Sequence, residues 1–118
     1  TKFILPLPGK IVSVVAGNAR DLSAGDPTHQ IKLGMKDVMV MREQDGSFAA
    51  LDLKCTHAGC IVHWQPNQKI FKCPCHGGEY DATGKVIKGP PPRPLNRLQV
   101  AVNNHGDITV TDLPAANV

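Results

Sequence analysis

"CTHAGC" (residues 55–60) and "CPCHGG" (residues 73–78) hold all four cysteines of this 118-residue chain and two of its five histidines. Within them, Cys55 and His57 are separated by one residue, and Cys73 and His76 by two. Three readings compete: two disulfides, a zinc site, or an iron–sulfur centre in which some cysteines ligate and others cross-link. Two disulfides leave the paired histidines unexplained. Zinc ribbons and fingers favour two Cys-x-x-Cys knuckles, or one knuckle with a His-x-x-x-His, and neither is present. Each loop instead offers one thiolate and one imidazole, a donor set suited to a binuclear centre whose two metals carry different ligands.

Working outward, both motifs fall between strands. "FAALDLK" runs into Cys55 and "KIFK" runs into Cys73, so the two loops should protrude from the same end of a β scaffold. A rigid base with donors on adjacent loops holds a metal centre well. "DVMVMREQDGSFAALDLK" reads as two strands around an Asp45-Gly46 turn, a strong hairpin signal. "LQVAVNNHGDITV" repeats that pattern, "EYDATGKVIK" is a shorter hairpin, and "KIVSVV" and "HQIKL" are further strands. "NARDLSAGDPTH" is a polar connection, and "GPPPRPL" (89–95) is an ordered loop, because proline cannot donate ladder hydrogen bonds. Many short strands with closely spaced turns predict an all-β fold, an antiparallel sandwich or barrel base.

The length allows one domain, 1–118. Charged residues make up 19% and the formal net charge is +3, with lysines and arginines scattered from Lys2 to Arg97. That distribution along the sequence speaks against a nucleic-acid partner, which needs a clustered basic face with aromatics. No apolar run reaches the roughly 18–20 residues of a membrane span, and no signal peptide is visible. The chain begins at Thr1 rather than Met, which reads as processed or cut by design, and a membrane link is expected only through a missing N-terminal anchor.

With these residues in view, the double motif resembles the Rieske [2Fe–2S] proteins, specifically the branch found in cytochrome bc and b6f complexes. The resemblance extends through "CTHAGCIVHW", "FKCPCHGGEYDATGKVIKGPPPRPL" and the final hairpin, most of residues 55–110. It implies one Rieske cluster per chain, in which two histidines replace two cysteines on one iron and raise the potential. Cys55 and Cys73 would hold one iron, His57 and His76 the other. Cys60 and Cys75 match the pair that forms a disulfide between the loops in this branch. A non-cytosolic compartment follows from such a bridge. It further implies a small cluster-binding subdomain at 53–93 within the single Rieske domain, with "GPPPRPL", including Pro90, covering the cluster.

The resemblance also implies function: proton-coupled one-electron oxidation of quinol, with His76 at the quinol and the outward imidazole edges of His57 and His76 trading protons. The electron then passes to a c-type cytochrome or plastocyanin. The partner would be a cytochrome b-type subunit, on the extracytoplasmic face of an energy-transducing membrane (periplasmic side or thylakoid lumen). The chain would be an electron-transfer subunit rather than an enzyme alone. A Rieske subunit of an arsenite oxidase-type enzyme is the redox alternative, and a structural zinc domain the alternative of another class.

Two positions depart from the family pattern. Gly78 stands where a serine hydroxyl usually donates to a bridging sulfide, while Tyr80, the donor to the residue matching Cys55, is retained. A missing donor should lower the potential and favour a low-potential quinol such as menaquinol. Ala58 replaces a common leucine, which should alter the docking surface. His63, His29 and His105 read as surface or structural residues, and Trp64 and Phe71 as packing beneath the loops.

Overall fold

Strands β3 (Lys36–Arg42) and β4 (Phe48–Asp52) form the expected hairpin, in register from Val38 opposite Asp52 to Arg42 opposite Phe48. In the computed structural model, which describes residues 11–25, 27, 29–57, 59–89 and 91–115, this hairpin is the middle of a larger sheet. Its other members are β1 (Ser13–Asn18), β2 (His29–Leu33), β9 (Arg97–Val102) and β10 (Asp107–Pro114). The order is β1-β10-β9-β4-β3-β2, with antiparallel pairing throughout. A second, four-stranded antiparallel sheet holds β5 (His63–Gln65), β6 (Ile70–Lys72), β7 (Glu79–Asp81) and β8 (Val86–Lys88) in sequence order. It lies inside the span 53–93. Among the described residues the fold is therefore nearly all β, with one 3-10 turn at Ala19–Asp21.

The first strand begins later than "KIVSVV" suggests and runs to Asn18, through a register shift between Val15 and Gly17. Lys10 lies outside the described residues. At Gly17 the two edges of the large sheet approach: the His29 imidazole bonds the Ala16 carbonyl, and a Cβ on Gly17 would sit 3.1 Å from its Nε2. A side chain there would wedge β1 away from β2, so the small residue lets the sheet curl toward a barrel. The polar connection expected after β1 carries the 3-10 turn, capped by the Asn18 side chain accepting from the Arg20 amide.

Strand β3 shows why Val38, Met39, Val40 and Met41 form an unbroken apolar run. Val38 and Val40 face a core with Ala16, Leu33, Leu98, Ile108 and Val110. Met39 and Met41 face the opposite way, into a second core with Leu51, Leu53, Phe71, Tyr80 and Leu95. A strand buried on both faces loses the usual alternation of apolar and polar residues. The second core joins the large sheet to the small one, and Cys55 and Cys73 belong to it.

Candidate metal centre

Each cysteine-containing loop is a tight connection held by the same pair of backbone hydrogen bonds. In the first, the Cys55 amide donates to the Cys60 carbonyl (2.7 Å) and the Gly59 amide to the Cys55 carbonyl (3.0 Å). In the second, the Cys73 amide donates to the Gly78 carbonyl (2.8 Å) and the Gly77 amide to the Cys73 carbonyl (3.2 Å). The first loop is anchored below by a bridge between Lys54 and Ile61 and by the Val62 amide on the Leu53 carbonyl (2.8 Å). The second joins the ends of β6 and β7. Two loops closed alike thus present their side chains from firm bases.

The structure brings the expected site residues together. Cys60 and Cys75 are joined in a disulfide that ties one loop to the other. Cys55 and Cys73 stand outside that bond and are almost wholly buried, 4% and 1% exposed. His57 and His76 are exposed, and their ring centroids lie 5.0 Å apart, edge to face. Sulfur donors therefore point into the core while imidazoles face solvent. Among the described residues no three His, Cys, Asp or Glu side chains gather around one point as a single ion would require. Two sulfurs inside and two nitrogens outside fit a two-metal cluster with unlike ligands at its ends.

Tyr80 makes the sulfur side polar where it needs to be. Its ring is fully buried, and its hydroxyl lies 3.3 Å from the Cys55 Sγ. The same oxygen accepts from the Thr56 amide (3.1 Å) and meets the Thr56 Oγ1 (3.1 Å). Thr56 Oγ1 in turn donates to the Arg93 carbonyl at 2.7 Å. A carbonyl only accepts, so the Thr56 proton is committed there, and the phenol's one proton is divided between the Cys55 sulfur and the Thr56 oxygen. Burial first, then the bond to Cys55, push the Tyr80 hydroxyl above its ordinary pKa, and it stays a donor. An anionic sulfur is the partner such a donor serves in an apolar core. Thr56, with its link to the proline segment, is absent from the sequence-based site, although it stands between two of its residues.

Gly78 has a second explanation besides a missing hydroxyl. A Cβ added to Gly78 would fall 2.7 Å from Pro91 Cγ and 2.9 Å from its Cδ. Gly89, at φ +90°, brings its own backbone so close that a Cβ there would lie 2.9 Å from the Gly78 Cα. The proline segment is thus pressed onto the second loop, with Pro91 buried, through two residues that have no side chain. A serine cannot enter at 78 unless Pro91 moves. Ala58 and Pro90 lie outside the described residues.

The remaining aromatic and histidine side chains lie where the sequence suggests. Phe71 is fully buried beneath the loops with Trp64 against it, ring centroids 4.9 Å apart. His63 is exposed on β5, and His105 sits exposed in the β9–β10 turn.

A family model for the Rieske [2Fe-2S] domain matches residues 12–105, and the chain belongs to that family. Its cofactor is accordingly a Rieske-type [2Fe–2S] cluster. The cytochrome b6-f complex iron-sulfur subunit of Chlorobaculum tepidum is 36% identical over 114 residues, which cover 93% of this chain and 61% of that protein. The cytochrome b6-f complex iron-sulfur subunit 1 of Synechocystis is 38% identical over 102 residues, covering 82% of this chain and 52% of the relative. The chain thus spans a little over half the length of these two relatives. The crystal structure of the cyanobacterial plasma membrane Rieske protein from Synechocystis superposes with a TM-score of 0.67 at 36% identity, over 82% of this chain and 97% of that one. No helix among the described residues is long and apolar enough to cross a membrane.

Proposed function

We propose that this chain is the electron-transfer head of a cytochrome bc/b6f-type complex, working at the extracytoplasmic face of an energy-transducing membrane beside a cytochrome b-type subunit. Cys55 and Cys73 would hold one iron of the cluster as thiolates, and His57 and His76 the other through ring nitrogens. The span 53–93 forms the cluster-binding subdomain. The cluster supplies the one-electron acceptor, and the chain supplies everything that makes the transfer selective. The observation that carries this reading is the pairing of buried Cys55 and Cys73 with exposed His57 and His76 across loops joined by Cys60–Cys75.

The solvent-facing edges of His57 and His76 are free to hold a proton where a quinol hydroxyl can reach, with His76 as the contact. A proton on an imidazole whose affinity follows the metal's charge moves together with the electron. Tyr80 holds its hydroxyl against the Cys55 sulfur, where added negative charge is stabilised. The disulfide keeps the loops in one relative position, and Pro91 covers the second loop at Gly78. The electron would leave to a c-type cytochrome or plastocyanin. Without a hydroxyl at position 78, we place the potential below that of relatives with serine there, suited to a low-potential quinol such as menaquinol.

The test is redox titration of the purified, iron-loaded protein across pH. The reading expects the low-average-g EPR signal of a reduced Rieske centre and a potential that falls from neutral into alkaline pH. A flat potential across that range refutes the proton coupling. A colourless protein that takes up zinc but no iron or acid-labile sulfide refutes the centre itself.

A further inference from the structure

The Thr56 hydroxyl has one proton, and where that proton goes decides what Tyr80 can offer the Cys55 sulfur. The Arg93 carbonyl takes it at 2.7 Å. Thr56 Oγ1 is then left as an acceptor 3.1 Å from the Tyr80 oxygen, competing with a sulfur 3.3 Å away for the phenol's single proton. If the carbonyl withdrew, Thr56 would donate to Tyr80 instead, and the phenol proton would go to sulfur undivided. The position of one backbone oxygen therefore sets the strength of the bond to Cys55.

That oxygen is held from behind. Pro94 follows Arg93, so the backbone on either side of their shared peptide has little freedom. The next residue, Leu95, is buried, and its amide donates to the Gly84 carbonyl at 2.8 Å. Gly84 belongs to the turn between β7 and β8, and β7 carries Tyr80 into that same turn. The phenol and the carbonyl are thus both built off one turn, and the Thr56 hydroxyl fits between them.

An arginine ties this turn to the large sheet. Arg97, the first residue of β9, donates from Nη2 to the Thr83 carbonyl at 3.0 Å. Its fork also meets both oxygens of Glu43, Nη1 to Oε2 at 3.2 Å and Nη2 to Oε1 at 2.9 Å. Glu43 stands in the β3–β4 connection, which is closed by the Glu43 amide on the Ser47 carbonyl (2.7 Å) and the Gly46 amide on the Glu43 carbonyl (2.9 Å). A planar guanidinium held by two bonds to one carboxylate has its third donor aimed in advance. Half-exposed ion pairs add little stability, so what this one supplies is geometry more than charge.

We propose that Arg97, aimed by Glu43, is a positioning residue for the metal centre: by holding the Thr83–Gly84 turn it keeps the Arg93 carbonyl on the Thr56 hydroxyl, and so limits how much of the Tyr80 proton reaches the Cys55 sulfur. This rests on the reading of Cys55 as a cluster thiolate and adds two residues, outside both cysteine loops, that tune it. A fuller bond to that sulfur stabilises added negative charge. Releasing the turn therefore raises the potential, whereas loss of the phenol lowers it.

The test is the redox potential of the iron-loaded protein by voltammetry, with visible and EPR spectra recorded first and a thermal melt beside it. Arg97→Gln and Glu43→Gln are each expected to shift the one-electron equilibrium at least twofold toward the reduced state, which is about 18 mV upward at 59 mV per decade. Charge alone predicts otherwise, since losing a cation lowers the potential and losing an anion raises it. Opposite shifts from the two variants therefore overturn the proposal. In Thr56→Val, which has no hydroxyl proton to redirect, the Arg97→Gln shift is expected to vanish, and an undiminished shift overturns the proposal as well. A lower melting temperature with an unchanged potential makes Arg97 a brace and nothing more, and overturns it too. Where Arg97→Gln does not fold around the cluster, Arg97→Lys keeps the charge without the fork; an upward shift is expected there, and no shift or a downward one overturns the proposal. A parent protein without the Rieske spectrum sinks the metal centre and the positioning role together. A parent with the spectrum, whose variants hold its potential, sinks the positioning role alone.

Discussion

Replacing Tyr80 by phenylalanine removes one oxygen and leaves the ring that fills the core. In the parent, that oxygen sits 3.3 Å from the Cys55 Sγ and 3.1 Å from both the amide and the hydroxyl of Thr56. A hydrogen bond to a charged group contributes about 1.5–3 kcal/mol. For a one-electron couple, in which 59 mV corresponds to a factor of ten, that is on the order of 60–130 mV. The phenol proton is shared with Thr56 Oγ1, whose own proton goes to Arg93, and the bond to sulfur is long. The lower end applies, and Tyr80→Phe is expected to reduce the potential by about 60 mV. The Thr56 amide loses its acceptor as well, so the melting temperature should fall by a few degrees, as follows from about 1 kcal/mol. Protein-film voltammetry at fixed pH reads the potential, with EPR confirming that the cluster is retained. A shift smaller than about 15 mV, or an upward one, refutes the assignment of Tyr80 as a donor to the Cys55 sulfur, since loss of a donor that favours the reduced state can only move the potential down.

The other predictions concern the frame around the site. Cys60→Ser/Cys75→Ser opens a bridge that spans 15 residues; in the chain-entropy model this costs roughly 3 kcal/mol, and a calorimetric melt on the order of 10 °C lower is expected. Gly78→Ser alone should destabilise by about 1–3 kcal/mol through its clash with Pro91, without the gain in potential that a hydroxyl would bring. With Pro91→Ala added, stability should recover and the potential rise, so a denaturation and voltammetry cycle over the two sites that comes out additive would refute the clash. Burial alone would raise the Asp81 carboxyl, but the Thr83 hydroxyl, the amides of Lys85 and Thr83 and the Lys85 charge together hold it below its ordinary value. A depressed carboxyl contributes stability above the unfolded value of about 3.9 and loses it as pH falls through its folded one. Asp81→Asn should therefore destabilise at pH 7 and converge on the parent in acid; a constant gap in urea midpoints would count against it.

The two cysteine loops were legible because their chemistry is local: ligand type and spacing lie within six residues each, and hairpins such as the one around Asp45-Gly46 announce themselves by their turns. What the sequence withheld depends on residues far apart. Nothing near Gly78 announces Pro91, and Thr56 reads as filler between Cys55 and His57 until Tyr80 and Arg93 meet it. The late start of β1 follows from its pairing with β10, which a window of neighbours does not contain.

Strand β3 is a party wall, with Val38 and Val40 closing one compartment and Met39 and Met41 the one that contains Cys55 and Cys73. Such a wall cannot shift by one residue without exchanging the furnishings of both rooms. The redox chamber therefore inherits the rigidity of a barrel interior it never touches, and wear on the far side of that partition, such as a smaller residue at Val40, is felt at the sulfurs as a loosened floor.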